Sequence, residues 1–109
     1  MNELETNKSP KQINLNAKPK VSDVKTQELI DDIYSGQRKK NKVGSGTMMD
    51  AVRNELKTGK PTEGKFHSTK ARYTITALNG RLSSGKLSKE DKTVVRAITK
   101  DLKAALSGH

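Results

Sequence analysis

An all-α fold, a small bundle of about four amphipathic helices behind a flexible N-terminal leader, is what this sequence predicts. Three observations predict it. Apolar residues recur at helical spacing in four separate stretches, Ser, Thr and Gly punctuate those stretches where caps belong, and no internal repeat points to a solenoid.

The first 21 residues carry Asn, Lys, Pro and Gln without helical or alternating periodicity, so they are read as a leader or linker, with the domain proper spanning residues 22–109. From Ser22, a candidate cap, Val24, Leu29, Ile30 and Ile33 fall on one face and predict a helix over residues 23–35, ended by Gly36. Gln37, Arg38, Lys39, Lys40, Asn41 and Lys42 then form a basic turn, followed by Val43-Gly44-Ser45-Gly46 as a flexible loop.

Thr47 with Asp50 resembles a capping box and opens a second helix through residue 57, with Met49, Val52 and Leu56 as its inner stripe and Gly59 as its stop. Residues 60–66 hold too many breakers for a helix and allow a short extended stretch at most. Ala71, Ile75, Leu78 and Leu82 predict a third helix from Ser68 to near Gly85. Ser88 and Asp91 start a fourth, whose stripe of Val94, Val95, Ile98, Leu102, Ala105 and Leu106 is the strongest in the chain, and Gly108 ends it.

At 109 residues there is room for one domain, and with 30% hydrophobic and 3% aromatic residues its core must come from Leu, Ile, Val, Met and Ala. Lys and Arg number 22 against 12 Asp and Glu, a formal charge of +10, which makes polyanions the natural partners. Cysteine is absent, which excludes disulfides, a thiolate nucleophile and Cys-based zinc. Apolar runs of two or three residues are too short for a membrane span or a signal peptide, so any export is expected to depend on another agent.

Chemistry is concentrated between residues 44 and 73. His67 lies at a loop-to-helix junction among Lys65, Lys70 and Arg72, where an imidazole can take a proton from a ribose 2′-hydroxyl or give one to a leaving 5′-oxygen. The bland reading is that His67 caps the third helix or packs beside Phe66. Asp50 and Glu55 can orient an imidazole and Arg53 can clamp a phosphate, while Asp50 is also a cap and Glu55 a surface partner for lysines. Lys39 and Lys40 belong to a basic cluster suited to phosphate or to plain solvation. Gly44-Ser45-Gly46-Thr47 before a helix can offer amides to an anion, though it lacks the Walker A lysine pattern. The two histidines stand 42 positions apart, so no metal site and no cofactor are expected, save a carboxylate-only magnesium site that stays open. Phe66, beside His67, can hold one base.

Val43-Gly44-Ser45-Gly46-Thr47-Met48-Met49-Asp50-Ala51-Val52-Arg53-Asn54-Glu55, then Thr58-Gly59-Lys60-Pro61, then Gly64-Lys65-Phe66-His67-Ser68-Thr69-Lys70, resembles a toxin domain found at the C-termini of contact-dependent growth inhibition and Rhs-type proteins. The likeness covers about residues 30–109, and Ser45 and Met48 depart from the Asn and Thr of that pattern. The resemblance implies a ribonuclease acting on transfer RNA. It also implies secretion or cell-surface delivery as part of a larger protein, action in a target-cell cytoplasm, and neutralisation by a cognate, acidic immunity protein. It places Asp50, Arg53, Glu55, His67, Thr69 and Lys70 at the site, with His67 as acid or base and Lys70 on phosphate. The competing readings are a noncatalytic basic nucleic-acid-binding module, which charge alone would explain, and a regulatory adaptor docking on an acidic protein.

Overall fold

Asp23, rather than the expected Ser22, opens the first helix: its carboxylate accepts from the Thr26 N–H at 3.0 Å and the Thr26 hydroxyl at 2.6 Å. The computed structural model describes residues 13–109, and among them the elements are α1 (Val24–Ile33), a 3₁₀ turn (Ser35–Arg38), α2 (Met48–Thr58), α3 (Ser68–Ser83) and α4 (Lys89–Leu106). The predicted all-α bundle of four helices is therefore the fold. No described helix is long and apolar enough to cross a membrane.

Ser22 serves elsewhere. Its N–H and hydroxyl donate to the Asp91 carboxylate in the first turn of α4, at 3.0 and 2.7 Å, and Arg81 of α3 grips Asp23 at 3.1 Å. These ties bring the start of α1, the end of α3 and the start of α4 to one corner.

α1 stops at Ile33, two residues before the predicted end, and the chain tightens into the 3₁₀ turn where a basic turn was expected. The Ser35 hydroxyl donates to the Asp32 carbonyl, diverting an acceptor that a continuing helix would use. Thr47 caps α2 through the Asp50 N–H, and Gly59 closes it in the left-handed region at φ 71°. Ser88 caps α4 in the same way as Thr47 caps α2.

The core gathers Ile30, Ile33 and Tyr34 with Met49, Val52, Leu78, Val95, Ile98 and Leu102. Each such aliphatic side chain contributes about 1.5–3 kcal/mol by leaving water. α4 lies centrally, packing on both α2 and α3 with Val95, Ile98, Leu102 and Ala105 buried. Ile75 and Leu82 of the predicted α3 stripe are only partly buried. Leu56, predicted inward, is 53% exposed, and the inner face of α2 is made by Met48, Met49, Ala51, Val52 and, unexpectedly, the carboxylate residue Glu55. At the other end, the His109 N–H bonds the Ala104 carbonyl at 2.9 Å, closing the last turn of α4.

Of the predicted leader, residues 1–12 lie outside the described residues, while residues 13–21 lie against the bundle. Leu15 and Val21 pack on the core, the Tyr34 hydroxyl donates to the Leu15 carbonyl at 2.6 Å, and Lys18 pairs with Asp31 at 3.0 Å.

The segment between α2 and α3 is a miniature hairpin. Thr62 and Lys65 exchange backbone hydrogen bonds at 2.9 and 3.1 Å around Glu63 (φ 51°) and Gly64 (φ 80°), a type I′ turn. The Thr62 hydroxyl donates to the Ala51 carbonyl at 3.0 Å, pinning the hairpin to α2. This short extended stretch, allowed by the sequence, is what delivers Lys65, Phe66 and His67 to the start of α3.

Candidate functional site

Glu55 faces inward because its carboxylate has a partner there. One oxygen accepts from the His67 N–H and the other meets the His67 ring Nδ1, both at 2.6 Å. The Glu55 side chain is 4% exposed and the His67 side chain 26%, so the pair sits at the protein's edge with the acid inside and the ring reaching out. Against an ionised carboxylate, which only accepts, a neutral ring carries its proton on Nδ1 and its lone pair on Nε2. Nε2 has no hydrogen-bond partner among the described residues. His67 precedes the first residue of α3 without capping the helix through its side chain, which removes the bland capping role.

His67 borders a cleft of about 130 Å³ whose walls come from the end of α1, the 3₁₀ turn, the start of α2 and the hairpin. Lys39, Lys42, Lys65 and Lys70 line it together with His67. Lys39 pairs with Glu63 at 2.8 Å and Lys70 with Asp32 at 3.0 Å, whereas Lys42 and Lys65 have no ion pair among the described residues. Lys70, expected to be free for phosphate, is thus held by a rim carboxylate. Lys42 belongs to the basic run flagged in the sequence but was not among the residues singled out. Its neighbour Lys40, which was, lies exposed outside the cleft.

Asp50 and Arg53 are committed to another task. Asp50 accepts from the Ser45 N–H at 2.8 Å, the Ser45 hydroxyl at 2.7 Å and Arg53 at 3.1 Å, and the Arg53 guanidinium continues to Asp101 of α4. Burial works to raise the Asp50 pKa, but the Ser45 and Arg53 hydrogen bonds outweigh it and hold it below the usual carboxylate value. Neither Asp50 nor Arg53 lines the cleft; the residue that orients the imidazole is Glu55. Thr69 and Arg72 are exposed on α3, also away from the cleft lining.

This network corrects the picture of residues 43–46 as a flexible connector. A Cβ on Gly36 would stand 2.4 Å from the Gly46 carbonyl oxygen, so the loop and the 3₁₀ turn are pressed backbone to backbone. The Asp50 carboxylate occupies the Ser45 N–H, filling from within an amide the sequence had offered to an external anion. Beneath it the Tyr34 phenol is pushed up to about 12 by burial and by the negative charges of Asp101 and Asp50.

Phe66 is 61% exposed immediately before His67. Among the described residues no group of three His, Asp or Glu side chains is placed to hold a metal ion. Comparison of the chain with family models, with curated proteins and with solved structures finds no match.

Proposed function

We propose that this domain is a ribonuclease that needs no metal, with His67 as the general base and Glu55 as the residue that sets its tautomer. The observation that carries the reading is the 2.6 Å contact between Glu55 and His67 Nδ1, with Nε2 unpartnered among the described residues and His67 lining a lysine-rich cleft. In such a site Nε2 removes the proton from a ribose 2′-hydroxyl, and the oxygen attacks the adjacent phosphorus. The bond from phosphorus to the 5′-oxygen breaks, the leaving oxygen takes a proton from solvent in the open cleft, and a 2′,3′-cyclic phosphate remains. The imidazolium formed is stabilised by the buried Glu55 carboxylate. Lys42 and Lys65 are suited to bind the phosphate and offset the charge that grows on it.

The biological setting rests on the resemblance of residues 43–70 to toxin domains of contact-dependent growth inhibition and Rhs-type proteins. On that reading the domain is the cargo of a larger delivered protein. It cleaves RNA, transfer RNA in particular, in the cytoplasm of a target cell, and an acidic immunity protein protects the producer. The net charge of +10 suits both partners.

The test incubates the purified chain with total RNA and with transfer RNA in EDTA, then sequences the new ends, beside the His67→Ala variant. Cyclic phosphate ends that need His67 support the reading. RNA that is bound yet stays intact at neutral pH removes it and leaves a noncatalytic nucleic-acid binder.

A further inference from the structure

Two of the three acids of α4 are taken by internal partners, the third, Glu90, is exposed, and most of its bases face solvent. Asp91 is taken by Ser22, and Asp101 by Arg53. Arg96, Lys100 and Lys103 are exposed and have no ion pair among the described residues. At 100° per residue these three share one stripe with Lys89 and Lys92, the five cations following one another at intervals of three or four residues. A rise of 1.5 Å per residue spreads them over about 21 Å. Like charges one turn apart repel, and a string of phosphates laid along them relieves that repulsion.

Arg96, Lys100 and Lys103 also line an open groove of about 350 Å³, whose opposite wall is Asn79 and Leu82 of α3. Lys70 at the cleft and Asn79 at the groove are nine residues apart on α3, about half a turn around the axis and about 14 Å along it. The two basic regions therefore lie on opposite sides of one helix.

We infer that the α4 ladder is a second contact site for the phosphate backbone. It rests on the ribonuclease reading and narrows the substrate to a folded or long RNA that reaches from the cleft across α3 to α4. A protein partner is the poorer fit, because protein interfaces centre on apolar and aromatic anchors and, among the described residues, Leu82 is the only apolar side chain lining the groove. The cations of the cleft rim are partly matched by Glu63 and Asp32, while those of the ladder have no ion pair among the described residues.

The experiment measures binding, not cleavage, on the full chain carrying His67→Ala. Its probes are a folded RNA of transfer-RNA size, a tetranucleotide and poly-glutamate, each across a salt series. The variant is Arg96→Gln, Lys100→Gln and Lys103→Gln together. The control is Lys25→Gln, Lys57→Gln and Lys86→Gln, which removes the same charge at exposed positions elsewhere. The ladder variant is expected to weaken the folded RNA by at least about tenfold in 0.1 M salt and to flatten the slope of log affinity against log salt by about 2, with a much smaller effect in the control. Tetranucleotide affinity should fall no further in the ladder variant than in the control. Equal loss of folded RNA binding in both triples overturns the inference, since it reports bulk charge only. So does unchanged RNA affinity with loss of poly-glutamate binding, which assigns the ladder to an acidic polypeptide. A ladder-dependent RNA affinity in a chain whose wild type cleaves nothing would keep the contact site and reject the ribonuclease.

Discussion

Glu55 accepts two hydrogen bonds from one residue, His67, through its backbone N–H and its ring Nδ1, both at 2.6 Å. The first bond ties down the start of α3 and the second favours a neutral ring with its proton on Nδ1, so structure and chemistry can be separated by substitution. In Glu55→Gln the amide oxygen still accepts from the backbone, but its NH₂ donates to Nδ1 and drives the ring proton onto Nε2. Ribonuclease activity is expected to fall about 10²–10⁴-fold, the usual worth of a general base, while urea denaturation shifts by only about 1 kcal/mol. Glu55→Ala, which strands a part-buried N–H, is expected to cost about 1–3 kcal/mol as well as the activity. Activity that survives Glu55→Gln would exclude the dyad.

The corner made by Asp91 predicts acid lability. Its side chain is buried and accepts from the Ser22 N–H at 3.0 Å, the Ser22 hydroxyl at 2.7 Å and the Asp23 N–H at 3.1 Å. Burial pushes its pKa up, and the bonds from Ser22, Asp23 and Ser88 more than reverse that, leaving it below 3.8. A carboxylate depressed in the folded state stabilises fully above its unfolded value, 3.8, and loses that contribution as pH falls through the folded value. Wild type is therefore expected to lose stability below about pH 4 more steeply than Asp91→Asn. At neutral pH Asp91→Ala is expected to cost about 3 kcal/mol, read by thermal or urea unfolding. An equally steep acid limb in Asp91→Asn would place the lability elsewhere.

Helix starts at Thr47 and Ser88 were legible because a cap is a local device, a side-chain oxygen and an N–H three residues on. The inward turn of Glu55 was not. On an inner stripe a carboxylate reads as an error until its partner, twelve residues later, is brought back by the hairpin pinned through Thr62. Leu56 was assigned the inner seat for the same reason, since periodicity ranks residues by apolarity and cannot know which polar one is satisfied. The Gly44–Gly46 loop was misread as a free connector because the backbone it presses against, at Gly36, lies ten residues upstream, and only contact distances make that visible. His67 was found, and of the two carboxylates offered to orient it Glu55 makes the contact while Asp50 is taken by Ser45 and Arg53; Lys42 joins Lys65 in the lining.

Gly36 and Gly80 predict opposite signs for the same substitution. A Cβ at Gly36 meets the Gly46 carbonyl oxygen at 2.4 Å, and backbone cannot yield as a flexible side chain does. Gly36→Ala is expected to destabilise by about 1–3 kcal/mol and, because Gly36 and Gly46 both line the cleft, to lower activity with it. At Gly80, inside α3, an added Cβ meets nothing within 4 Å. Gly80→Ala is expected to stabilise by about 0.5–1 kcal/mol, the helical advantage of Ala over Gly. Urea midpoints measure both, and a neutral Gly36→Ala would mean that the loop and the 3₁₀ turn are not interlocked.

Tyr34 predicts behaviour at the alkaline end. Burial, with Asp101 and Asp50 nearby, raises its phenol from 10.0 to about 12. A group whose folded pKa is raised gives stability that is complete below its unfolded value and is lost as pH climbs through the folded one. Between pH 10 and about 12 the wild type is therefore expected to weaken more than Tyr34→Phe does. The phenolate absorbance that wild type gains over that variant should rise late, near pH 12. An ordinary midpoint near 10 would show that the phenol does not hold its place against the Leu15 carbonyl.

Phe66 tests whether the cleft reads a base as well as a phosphate. It is 61% exposed one residue before His67, the proposed base, a costly position for an aromatic ring that contributes nothing to the core. A nucleobase stacked on it would hold the ribose of the scissile bond against His67, and one such stack is worth about 1–3 kcal/mol, or about 5–150-fold in affinity. Phe66→Ala is thus expected to lower kcat/KM for RNA by a factor in that range, mainly through KM, while changing unfolding free energy by no more than about 0.5 kcal/mol. Phe66→Tyr keeps the π face and should retain most of the activity, whereas Phe66→Leu keeps apolar area without the face and should resemble Phe66→Ala. Equal activity in Phe66→Leu and wild type would reduce the ring to surface apolar area and leave the lysines as the cleft's only grip on RNA.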